Sequence, residues 1–69
     1  MTISDVAARI EQVRVLGVER SDNDAAHSAE DYLWEEVLEA IANGTARDPV
    51  AMARLALTTR DLKFTRWYS

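Results

Sequence analysis

Between Ser21-Asp22 and Asn43-Gly44 runs a stretch of about twenty residues with neither glycine nor proline, and it governs what this chain can fold into. Ala26, Ala29, Leu33, Val37, Ala40 and Ile41 recur on one side of it at helical spacing. Asp24, Ser28, Asp31, Glu35 and Glu39 occupy the other. This pattern predicts a half-buried helix over about residues 22–42. Ser21 and Asp24 are spaced as a capping box at its start, and Asn43-Gly44 supplies a left-handed stop. In a chain of 69 residues such a helix takes nearly a third of the length, so the remainder must pack against it.

Two further helices follow from the same reading. Ile3, Val6, Ala7, Ile10 and Val13 keep the i, i+3, i+4, i+7 rhythm and place a helix at about residues 4–15. Thr2 or Ser4 is its cap, Asp5 and Arg9 are an i,i+4 pair, and Gly17 is its C-terminal stop. Asp48-Pro49 reads as N-cap and first helical residue of a helix over about 49–59, with Thr58 and Asp61 able to cap one more turn. The expected fold is therefore all-α: one domain over 1–69, a small three-helix arrangement with the aromatic carboxy-terminal tail packed on it. Phe64, Trp67 and Tyr68 put three of the five aromatic residues in the last six positions. A tail this apolar is expected to dock on the core or on a partner.

Composition narrows the function classes. With no cysteine there is neither a disulfide framework nor a thiolate zinc site, and a chain this short is marginal alone, which makes a homo-oligomer or a protein partner a candidate. The amino-terminal segment is too interrupted by charge to be a signal peptide, and no apolar run is long enough to span a membrane. A soluble, cytoplasmic protein is expected. A net charge of −4 and a pI near 4.7 argue against a phosphate-tracking surface, hence against nucleic acid as a partner. The average conceals a division: residues 20–42 carry seven acids against Arg20, whereas 43–69 carry five bases against Asp48 and Asp61. The two regions can pair within the fold, or the acidic face can steer a basic partner.

Projected at 100° per residue, Glu30 falls inside the apolar stripe of the second helix, beside Leu33, Trp34 and Val37, with His27 one turn earlier. A carboxylate on a core face has to be paired or protonated. His27 and Glu30 are thus expected to form a buried polar hub, with Arg9, Arg14, Arg54, Arg66 or an indole N–H as candidate partners. Trp34, Arg66, Trp67 and Tyr68 are the candidate partner-binding residues, because Trp, Tyr and Arg dominate interface energetics. Asp24, His27 and Asp31 share a side, but one histidine among surface carboxylates makes no metal motif, and neither a metal nor a cofactor is expected. No activated serine or cysteine and no phosphate-cradling glycine loop is present, so no catalytic residue is assigned.

The strings Asp24-Ala25-Ala26-His27-Ser28-Ala29-Glu30-Asp31, Val37-Leu38-Glu39-Ala40-Ile41-Ala42, Asp48-Pro49 and Arg66-Trp67-Tyr68 resemble small proteins encoded by actinobacterial phages and related host genomes. The resemblance spans roughly residues 22–69. It implies a source and a setting, the cytoplasm of an infected or lysogenic bacterium, and brings no catalytic residue with it. The function expected is a non-enzymatic protein-interaction module acting on a host or phage protein. Two alternatives stand beside it: a small helix-turn-helix-like DNA-binding regulator, and a subunit of a homo-oligomeric metal-dependent enzyme.

Overall fold

A computed structural model describes residues 1–66. Its order is α1 (Ile3–Arg14), a π-helical turn (Val15–Glu19), α2 (Asn23–Ala42), α3 (Pro49–Leu57) and a 3₁₀ turn (Thr58–Asp61). The fold is all-α, three helices with no strand among the described residues. Trp67 and Tyr68 lie outside the described residues. Of the aromatic tail, Phe64 is half-buried and packs against Gly17.

The helix ends follow side-chain chemistry. Thr2 caps α1 in a full capping box: its hydroxyl accepts from the Asp5 N–H, and the Asp5 carboxylate accepts from the Thr2 N–H at 2.8 Å. Asp5 thus faces back over the cap, and Arg9 reaches across to Glu36 of α2 in place of the expected i,i+4 pair. The backbone and hydroxyl hydrogen bonds from Thr2 hold the Asp5 carboxyl below its ordinary value of 3.8. A carboxylate with a lowered folded-state pKa contributes stability above its unfolded pKa, and loses it as pH falls through the folded value. In an NMR titration the Thr2 amide and the Asp5 carboxyl are expected to move together with a midpoint below 3.8, and in Thr2→Ala the Asp5 midpoint should rise toward 3.8. A wild-type midpoint at or above 3.8 contradicts the box.

The end of α1 departs from the sequence reading. Gly17 is not a stop, because the backbone stays helical through it and widens to i→i+5 bonding, with Arg20 N–H donating to Val15 O at 2.9 Å. Arg14 spans this change of pitch, pairing with Glu11 on α1 and with Glu19 at 3.1 Å on the turn. Gly17 is buried, and a Cβ built on it would lie 2.7 Å from Cγ and Cδ1 of Phe64, so close approach is what demands glycine here. Ser21 then reverses the chain in the left-handed region, φ 54°, which removes it from the cap. Asp22 takes that role, accepting from the Ala25 N–H at 3.2 Å.

The junction between α2 and α3 matches the sequence reading. Gly44, φ 72°, closes a Schellman motif in which Thr45 N–H donates to Ala40 O and Gly44 N–H to Ile41 O. Asp48 caps α3 with Pro49 at the first helical position. The α-helix ends at Leu57, two residues earlier than read, and tightens into the 3₁₀ turn. The Met1 ammonium donates to Thr45 O, and Arg47 N–H donates to Met1 O, which ties the start of the chain to this loop.

The core among the described residues consists of Val6, Leu33, Val37, Ala40, Met52 and Ala56 in one cluster, with Val13 and Ala26 also buried. Half of the α2 and α3 members are alanine, so backbones approach closely and little apolar surface is buried per residue. Ile41 belongs to the predicted stripe yet is exposed.

Candidate functional site

Two features stand out above this frame, a buried ion pair and an open apolar groove, and Trp34 lies between them. Glu30 is 3% exposed in the middle of α2. Its Oε1 accepts from Arg66 Nε at 2.9 Å, so the carboxylate on the core face is met by a guanidinium. The same guanidinium donates through Nη2 to Thr59 O and Leu62 O and through Nη1 to Phe64 O, and lies 3.9 Å from the Phe64 ring centroid. Arg66 therefore winds residues 59–66 around its own head group and fastens them to α2. Thr65 N–H adds a second tie, donating to Asn23 Oδ1 at 3.2 Å. The Glu30 Oε2 atom is buried and receives no hydrogen bond among the described residues.

His27, one turn before Glu30, is mostly buried, and its Nε2 lies 3.7 Å from Asp31 Oδ1. Among the described residues no group of three or more histidine, aspartate or glutamate side chains is placed to hold a metal ion. No described helix is long and apolar enough to cross a membrane.

Trp34 points along the α2–α3 seam. Its indole N–H is shared between Ala56 O at 3.2 Å and the hydroxyl of Thr59 at 3.1 Å, and that hydroxyl donates in turn to Ala56 O. Thr59 is fully buried, so this bond anchors α2 to the end of α3 from inside. With its polar edge engaged, the Trp34 ring becomes one wall of a groove of about 280 Å³ completed by Val37, Leu38, Ala53, Ala56 and Leu57. Leu38 and Leu57 rise on either side of it, 66% and 42% exposed. A second depression, about 440 Å³ between α1 and α2, is crossed by the Arg9–Glu36 pair, so a charged bridge spans it.

Of the candidate partner-binding residues, Trp34 thus lines an open groove with its ring while its N–H faces inward. Arg66 has its guanidinium committed to the fold, and Trp67 and Tyr68 lie outside the described residues. The sequence reading assigned no binding role to Leu38 or Leu57. The available signal was positional: Leu38 lies some 100° around α2 from Val37, off the predicted stripe, which is where a large apolar residue has no core to enter. The division of charge is bridged by one ion pair among the described residues, Glu30–Arg66, and the remaining bases of the last third stay on the surface. No family model, curated protein or solved structure matches the chain.

Proposed function

We propose that this chain is a small non-enzymatic protein-interaction module that binds through the groove between α2 and α3. The observation that carries this reading is the pair Leu38 and Leu57, held in water on either side of an apolar groove whose Trp34 wall is pinned from beneath. A rigid aromatic wall with aliphatic rims is the usual form of an anchor pocket, since ordering it on binding costs little further entropy. The resemblance to small phage-encoded proteins supplies the setting, in which the module modulates a host or phage protein in the bacterial cytoplasm.

The test is a double substitution, Leu38→Asp with Leu57→Asp. Leu38 is largely exposed, whereas Leu57 is 42% exposed at the C-terminal end of α3, where an acid opposes the helix dipole, so folding should weaken by about 1–2 kcal/mol with the fold kept, as circular dichroism checks. Wild type is expected either to retain one specific protein on an affinity column or to self-associate, and the variant to do neither. A wild-type monomer that retains nothing overturns the reading, and so does a salt-sensitive shift of duplex DNA by wild type and variant alike.

A further inference from the structure

We infer that the occupant of the groove is a second copy of this chain, related to the first by a two-fold axis running along the groove. This rests on the interaction-module reading and goes further, because the charges flanking the groove specify the partner. Three residues before Leu38 on α2 is Glu35, and three residues before Leu57 on α3 is Arg54. Both are exposed, and at 100° per residue each lies on the outer shoulder of its helix, directly away from the core. Val50, 61% exposed, extends the apolar surface beside Arg54 on α3. The face thus reads, from one side to the other, acid, leucine, groove, leucine, base.

Such a face is complementary to itself. A two-fold rotation about an axis along the groove lays α2 of one copy over α3 of the other, so the acidic shoulder of each meets the basic shoulder of its mate, while Leu38 and Leu57 close over both grooves. An axis across the groove would set acid on acid and base on base, and the charges exclude it. Closed two-fold pairing through one shared patch is also the commonest form of oligomer. The intrachain ion pairs point the same way. Among the described residues, arginine–carboxylate pairs join Arg9 to Glu36, Arg14 to Glu11 and Glu19, and Arg66 to Glu30, and Glu35 and Arg54 take part in none of them. An acidic partner helix would fit one shoulder and be repelled by the other, and a basic one likewise; a second copy satisfies both.

The experiment follows from the symmetry. Wild type, Glu35→Arg, Arg54→Glu and an equimolar mixture of the two variants are compared by sedimentation velocity at about 100 µM, above the micromolar Kd expected of a small interface. Wild type is expected to be a dimer. Each reversal alone puts like charges together at both ends of its homodimer and should weaken association about tenfold or more. In the mixed dimer both ends become attractive again, so the mixture should recover the wild-type dimer fraction. Circular dichroism confirms that each variant folds, and Leu38→Asp gives an independent disruption of the same face. A monomeric wild type overturns the inference, as does a mixture no tighter than its components or a dimer indifferent to all three substitutions. If wild type is monomeric but retains one other protein through Leu38 and Leu57, the homodimer fails and the interaction module stands; if it retains nothing, both fail.

Discussion

Arg66→Met is expected to cost about 3 kcal/mol of folding free energy, which for a domain this small lowers the melting temperature by roughly 12–24 °C. The effect arises at Glu30. Its carboxylate is 3% exposed, and Arg66 is its cationic partner among the described residues. Removing one member of a buried pair leaves an uncompensated charge, which ordinarily costs about 3–5 kcal/mol. The Arg66 side chain is 28% exposed, so water already screens part of the attraction and the lower end of that range applies. The carbonyls of Thr59 and Leu62 keep backbone donors, Leu62 N–H at 3.0 Å and Phe64 N–H at 3.2 Å, so losing the guanidinium there and at Phe64 O adds little. Arg66→Lys keeps the charge but cannot reach Glu30 and three carbonyls with one planar fork, and should recover only part of the loss. Glu30→Leu combined with Arg66→Met removes both charges and should be distinctly more stable than Arg66→Met alone. Urea denaturation of the four proteins decides the matter. An Arg66→Met variant within about 0.5 kcal/mol of wild type would mean that the pair carries no weight in the fold.

What could be read in advance divides along a physical line. Asn43-Gly44 and Asp48-Pro49 stop and start helices through their own backbone preferences, so both junctions were legible from local sequence. Glu30 was conspicuous because helical periodicity alone puts a carboxylate on an apolar face, although which of several arginines meets it depends on the path of the tail. The partner of Arg9 was misread for the same reason. Asp5 was the near choice along the chain, but the Thr2 cap engages it, and Glu36 on another helix takes its place. The π-helical turn left no trace in residue types, since shifting from i→i+4 to i→i+5 bonding needs no particular side chain. The groove was legible only in reverse, through Leu38 failing to fit the stripe. Features set by one residue's chemistry were thus open to sequence reading, whereas those set by the meeting of distant segments were not.

Gly17 is the sharpest instance of the second kind, and Gly17→Val should be at least as damaging as loss of Arg66. A side chain at this position meets Phe64 at its Cβ and Cγ, 3.0 and 2.7 Å from the position of an added Cβ, so a swing of the ring tip does not relieve the clash. The backbone of residues 62–66 would have to lift, which strains the Thr65–Asn23 and Arg66–Glu30 ties together. Overpacking of this kind costs about 1–3 kcal/mol for the first added carbon, and the branched valine should lie at or above the top of that range. Alanine separates the two influences on this residue. In a helical backbone alanine is favoured over glycine by about 1 kcal/mol, because glycine has more freedom to lose on folding. Gly17→Ala should therefore be destabilising by about 0–2 kcal/mol in wild type, where the clash opposes the gain. In a Phe64→Ala background the obstructing ring is gone, and the same substitution should become stabilising by up to about 1 kcal/mol. The reversal of sign across this double-mutant cycle, measured by thermal or urea melts, identifies the contact between the π-helical turn and the tail as the reason for glycine. If Gly17→Ala costs the same amount in both backgrounds, the requirement lies in the backbone of the turn itself and not in Phe64.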